Sequence, residues 1–396
     1  PTRTAALNIT QGLNNLNGVI RLEGEGQLTL NANDIQNTLG QILSESGLEI
    51  QAQTLLNTGE IGAQTLALNG GQLNNQGAID ATTLTTQLDV LNNSGDLAAN
   101  TAHIQATQIN NAGLLVATST VGQSLTVSAN DLTNTGVLAS YGENFTLSNL
   151  ALNNADGSIV HFGAGVLSLE ALSTLNNAAG LIRGATNLSI TQSDIQNHVG
   201  LIEAANTLTI DTNSVVNQGG ELRANTLDLN ASQLNNQGGL IAVAEQLDID
   251  VQQTLNNTSG RILSTATQAN IAAQDLLNDS GLISQLNEHA LTVSVGGSLS
   301  GVDGVIRADE QLNVNVAQLN NEGTLASNVL NISAVQLNNQ ATIQANRLNI
   351  DAQSLQNRGL LLAAGTQGES LSLAVDGTLF NAGRIQSLGE NLVLAG

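Results

Sequence analysis

The chain contains no cysteine, methionine or tryptophan, one proline at Pro1, one tyrosine and three phenylalanines in 396 residues. Without cysteine there is no disulfide framework, no thiolate-ligated zinc or iron–sulfur centre and no thiol nucleophile. Basic residues are scarce as well: 9 Lys plus Arg stand against 32 Asp plus Glu, a formal charge of −23. That balance excludes nucleic acid and anionic membrane surfaces as partners, because binding phosphate requires clustered cations that displace counterions. No apolar run approaches the roughly 20 residues of a helical membrane span, so no membrane insertion is expected. The first residues, Pro1-Thr2-Arg3, carry neither an initiator methionine nor the apolar stretch of a signal peptide, so the chain is expected to be a fragment of a longer protein.

With 41% hydrophobic and only 10% charged residues, the chain is too apolar for disorder. Its four aromatics are nevertheless too few for an ordinary core of this length. Composition hardly shifts along the sequence and no proline-rich linker interrupts it, so residues 1–396 read as one continuous domain.

What the sequence does contain is a repeat. The unit is illustrated by Leu234-Asn235-Asn236-Gln237-Gly238-Gly239-Leu240-Ile241-Ala242, followed by Leu247-Asp248-Ile249-Asp250 and then Leu255-Asn256-Asn257. It recurs 19 times, from Gly18 to Gly383, at a period of about 20 residues. Two or three residues before each such glycine stands an asparagine: Asn15, Asn37, Asn57, Asn75, Asn93, Asn111, Asn134, Asn154, Asn177, Asn197, Asn217, Asn236, Asn257, Asn278, Asn321, Asn339, Asn357 and Asn381, with Gly301 as the exception. Asn and Gly both tolerate left-handed backbone angles, so the column marks one turn made at the same place in every unit.

Between the turns, apolar and polar residues alternate with period two, as in Leu208-Thr209-Ile210 and Leu330-Asn331-Ile332. This is a strand pattern, and no segment carries a helical one. Two or three short strands in each unit of about 20 residues predict an all-β fold, a right-handed parallel β-helix of about 19 coils. A narrow tube filled by stacked Leu, Ile, Val and Ala has little room for rings, which accounts for the missing aromatics. Stacked equivalents of the asparagine column are expected to form an amide ladder.

The Leu-Asn-Asn-x-Gly-x-Ile-x-Ala turn, the Leu-x-Leu-x-Ala strand after it and the period near 20 resemble the repeat region of filamentous haemagglutinins and contact-dependent growth inhibition exoproteins. The resemblance covers nearly the whole chain. It implies a structural and adhesive shaft of a large exoprotein, secreted to the surface of a Gram-negative bacterium and carrying a binding or toxin module outward. The implied partners are an outer-membrane two-partner-secretion transporter for the whole protein and a receptor or glycan on a target cell. The family's secretion domain carries Asn-Pro-Asn motifs, and the only proline here is Pro1, so this piece corresponds to the repeat shaft.

The competing class is a polysaccharide-binding or polysaccharide-degrading β-helix protein. Asp228 and Asp248 fall on successive coils, with Asp211 and Asp250 two positions further along their strands. Carboxylates about 5 Å apart suit retaining glycoside hydrolysis or calcium. No basic cluster or sugar-stacking platform accompanies them, and a solvated acidic stripe is the simpler expectation. The four histidines, His103, His161, His198 and His289, share no metal spacing. No nucleophile elbow or phosphate loop occurs. No catalytic residue, metal ligand or cofactor is therefore expected.

Two further groups stand out. Arg183, Glu203 and Arg223 occupy one outward column on three successive coils and predict a ladder of surface ion pairs. Tyr141, Phe145, His161 and Phe162 gather three of the four aromatics between Gly136 and Gly180. Phe145 lies in an inward column, whereas Tyr141, His161 and Phe162 form the candidate contact patch. Periods starting at Gly113, Gly157, Gly281 and Gly359 are longer than the rest and predict loops there.

Overall fold

The computed structural model describes residues 3–148 and 151–395, and among these every regular element is a β-strand. Two compact units are formed, Pro1–Ile195 and Gln196–Gly396. In each, the chain winds through successive coils whose strands pair in parallel with their counterparts in the next coil. The fold is a parallel β-solenoid, as the period-two alternation predicts.

Register keeps chemically equivalent residues in line. In the first unit Ile42, Ile61, Ile79, Leu97, Leu115, Leu138, Ile159 and Ile182 are consecutive Cα partners, each 0–1% exposed. The second unit repeats the arrangement through Leu222, Ile241, Ile262, Ile283, Ile306, Leu325, Ile343 and Leu361. Full burial of one such side chain is worth about 1.5–3 kcal/mol, and a one-residue slip would turn every one of them outward, so the hydrophobic columns fix the register.

The asparagine column is buried and forms the expected ladder. From Asn15 to Asn177, and again from Asn197 to Asn278, each Nδ2 donates to the Oδ1 of the next asparagine at 2.7–2.8 Å. Many of the same amide nitrogens also reach main-chain carbonyls; Asn93 Nδ2, for example, donates to Leu114 O at 2.9 Å. The ladder thus satisfies polar groups that would be costly to bury alone. Its polarity is uniform, each rung donating toward the C-terminus. Asparagines on the outside run the other way: Asn110 donates to Asn92 and Asn92 to Asn74, both at 2.8 Å.

The turns depart from expectation in one respect. The left-handed angle falls neither on the asparagine nor on the repeated glycine. Where Asn (or Gly301) and Gly are three residues apart, the residue immediately before the glycine takes a φ of 51–63°: Asn17, Leu39, Asp156, Ala179, Val199, Gly219, Gly238, Ser259, Ser280 and Asp303. Where the spacing is two, as in Asn57-Thr58-Gly59, no such angle occurs. The extra residue needs the reversed angle to close its turn. The repeated glycine has a different cause. A Cβ on Gly77 would lie 2.1 Å from the carbonyl oxygen of Gly59, so close coil-to-coil approach demands a hydrogen there. Ala341 is the one member of this column with a side chain.

Each of the four longest periods makes its excursion outside the strands, at residues 118–124, 162–165, 286–289 and 364–368.

Candidate functional site

In the first unit, the strands Val137–Ser140 and Ser158–His161 pair in register, Ser140 opposite His161. The next residue of each, Tyr141 and Phe162, therefore occupies the same corner in successive coils. Tyr141 N donates to Ala117 O at 3.0 Å and Phe162 N to Ser140 O at 2.8 Å. Their rings stack with centroids 4.5 Å apart and planes 19° apart, and they are 38% and 50% exposed. Contacts of this geometry are worth about 0.5–1.5 kcal/mol beyond area burial. The stacked pair remains partly exposed to solvent.

His161 is not part of that surface. Alternation along Ser158-Ile159-Val160-His161 sends Ile159 and His161 inward, and His161 is fully buried. Judging it by residue type placed it outside, whereas the period-two rule places it inside. Its Nε2 lies 3.2 Å from Glu143 O, and Nδ1 has no partner. Phe145, fully buried as expected, sits with its ring centroid 6.4 Å from the imidazole. Burial pushes the His161 pKa below its ordinary value, only partly opposed by the nearby main chain of Glu143 and Ser140. The corner is tight: a Cβ on Gly163 would fall 1.7 Å from Gly142 O and 2.7 Å from His161 Cε1. Ser124 supports the preceding coil, accepting from Gly142 N at 2.9 Å and lying 3.0 Å from Ser140 Oγ.

His103, His198 and His289 are exposed. Among the described residues no three His, Asp or Glu side chains are grouped to hold a metal ion. Asp228 and Asp248 are direct register partners, but Asp211 and Asp250 are separated by Asn230, which partners both. Asn230 Nδ2 donates to Asp228 Oδ1 at 3.0 Å. Burial, then the charges of Asp228 and Asp250, raise the Asp248 pKa.

Glu203 and Arg223 are Cα partners in the second unit, and Arg183 partners Val160 in the first. The Arg223 guanidinium forms its salt bridge with Glu221, two residues earlier on the same face of its own strand, through Nε at 2.7 Å and a terminal nitrogen at 2.6 Å. The signal was the Glu-x-Arg spacing itself. Sequence reading also missed a cross-coil pair, Arg21 with Glu45 at 2.9 Å. The N–H of Gly24 and then Arg21 hold the Glu45 carboxyl below its usual range.

Comparison with protein-family models, with curated proteins and with solved structures gives no match.

Proposed function

We propose that this chain is shaft material of a secreted bacterial surface exoprotein, holding a binding or toxin module away from the cell. The supporting observation is the amide ladder from Asn15 to Asn177, in which every coil is tied to the next by the same buried bond. Eight steps at the strand spacing of about 4.8 Å carry that ladder about 38 Å, and length grows by adding coils without redesign. Folding that propagates from coil to coil suits a chain that leaves the cell unfolded through a two-partner-secretion transporter. The repeat's resemblance to filamentous haemagglutinins supports the same route.

Removal of one coil, residues 59–76, tests the mechanical part. It joins Thr58 to Gly77 and recreates an Asn-x-Gly turn. Cooperative unfolding with unchanged β-sheet circular dichroism is expected; loss of the folded state would defeat the reading.

A target-cell receptor or glycan is the second element of the proposal, favoured by the exposed Tyr141–Phe162 stack. Exposed aromatics are common anchors of binding surfaces. The double variant Tyr141→Ala, Phe162→Ala is expected to keep its unfolding midpoint within a few degrees while whole-cell or glycan-array binding is lost. Equal binding by the folded double variant would remove the corner from the proposal.

A further inference from the structure

An open groove of about 660 Å³ runs along the outside of the first unit, from the coil of Gln51 to that of Asn130. One side is a column of amides, Gln51, Asn69, Gln87 and Gln105, which are consecutive Cα partners. Asp89 and Asn130 line the other side, and half-buried Leu88 lies between the two. Along the same coils, the asparagines of the surface ladder are tied together, Asn110 donating to Asn92 and Asn92 to Asn74 at 2.8 Å. No such bond links the side chains of Gln51, Asn69, Gln87 and Gln105 among the described residues. Asn69 is one methylene shorter than the glutamines on either side, which offsets its amide from theirs. The three glutamines are exposed, so the column presents donors and acceptors that nothing in its own coils uses.

We infer that this groove binds a neutral β-1,4-linked glycan whose chain runs along the coil stack. A primary amide both donates and accepts, as a sugar hydroxyl does, so each can meet the other without a charge. An extended β-1,4-linked pyranose chain advances by close to one coil step per sugar, and successive sugars therefore meet successive amides. Alternate sugars in such a ribbon are turned over, which sends hydroxyls to the amide column and to the side of Asp89 and Asn130 in turn. Leu88 offers the apolar contact that the C–H face of a ring requires. The inference is independent of the Tyr141–Phe162 corner, neither of whose rings lines the groove.

Size, charge and backbone pairing select this occupant. Four coil steps of about 4.8 Å make the groove about 19 Å long, room for about four sugars, and its volume lies within the roughly 300–1,000 Å³ of ligand-binding clefts. Acidic glycans are disfavoured: the chain carries −23, Asp89 lines the groove, and no arginine does so among the described residues. A peptide would need a free strand edge to add to, and along this column each coil is already paired with the next.

The test is calorimetric titration of the chain with cellohexaose. Saturable binding is expected, with affinity rising from cellobiose to cellotetraose and levelling off beyond about four sugars. Maltohexaose, whose α-1,4 links coil the chain away from a straight ribbon, should not bind. The double variant Gln87→Ala, Gln105→Ala removes two exposed amides and should weaken cellohexaose binding about tenfold or more with its unfolding midpoint unchanged. Tyr141→Ala, Phe162→Ala should bind cellohexaose as the wild type does. Absence of saturable binding, or equal binding of maltohexaose, would overturn the inference, and both of these arms use the wild-type chain. Undiminished binding by the folded glutamine variant would overturn it too, as would loss of binding in the folded Tyr141, Phe162 variant, which would move the site to that corner.

Discussion

Val199 and Gly219 hold the same turn position in successive coils of the second unit, with left-handed φ angles of 55° and 63°. Glycine adopts that region freely, whereas a β-branched residue there is strained by about 1–2 kcal/mol. Val199 is 60% exposed, so its side chain returns little of that cost through burial. Val199→Gly is therefore expected to stabilise the second unit by about 0.5–1 kcal/mol, after the larger backbone entropy lost by glycine on folding. Denaturant unfolding measures it, and a lower midpoint would show that the angle is not strained.

The ladder supplies a prediction of opposite sign. Asn236 accepts from Asn217 Nδ2 at 2.7 Å and donates to Asn257 Oδ1 at 2.8 Å. Asn236→Leu keeps the branching of the side chain but strands a buried donor below and a buried acceptor above. With about 1–3 kcal/mol for each of the two unsatisfied groups, a loss of roughly 2–6 kcal/mol is expected. On the outside, Asn331 donates to Asn313 at 2.9 Å in a half-buried setting. Water can replace that bond, so Asn331→Ala should cost no more than about 0.5 kcal/mol. Equal losses in the two variants would contradict the distinction between buried and surface ladders.

The coil, its period and its asparagine column were legible in the sequence because the same turn recurs at the same place. The left-handed residue was not, because asparagine, leucine, valine, serine and aspartate all stand there; only the change of Asn-to-Gly spacing from two to three betrays it. His161 was legible through alternation and was misplaced by its polarity. The Tyr141–Phe162 stack required coil register, since the two residues lie one coil apart and each follows the end of its strand. Arg223 bonds Glu221 along its own strand, because that carboxylate sits two residues away on the same face.

Partial burial, and then the charges of Asp228 across the coil step and Asp250 on the same face, raise the pKa of Asp248. A carboxyl whose folded pKa lies above its unfolded value contributes stability at pH below the unfolded pKa and loses it as pH rises through the folded one. At about pH 7 the charged form is therefore a liability. Asp248→Asn should raise the unfolding midpoint there and have no such effect near pH 3, where the wild-type carboxyl is largely protonated. The part of the gain that comes from Asp228 and Asp250 should shrink in about 1 M NaCl, where the screening length is about 3 Å, because these charges are exposed to solvent. A gain independent of both pH and salt would point to packing instead.

His161 gives the opposite dependence. Its folded pKa is depressed, chiefly by burial, from an ordinary value of 6.5. Above 6.5 both folded and unfolded chains hold it neutral and pH has no effect through this group. As pH falls below 6.5, the unfolded chain takes up the proton first, so the first unit loses stability until the folded pKa is passed. No carboxylate offsets the charge: Nε2 meets the carbonyl of Glu143, Nδ1 has no partner and Phe145 packs nearby. Between about pH 7.5 and 5 the wild type should therefore lose more of its unfolding midpoint than His161→Ser, which installs the residue found one coil earlier at Ser140. The variant will start lower, because it empties space in the core, but its pH profile should be flatter over that interval. Parallel profiles would mean that the buried imidazole does not govern the acid sensitivity of this unit.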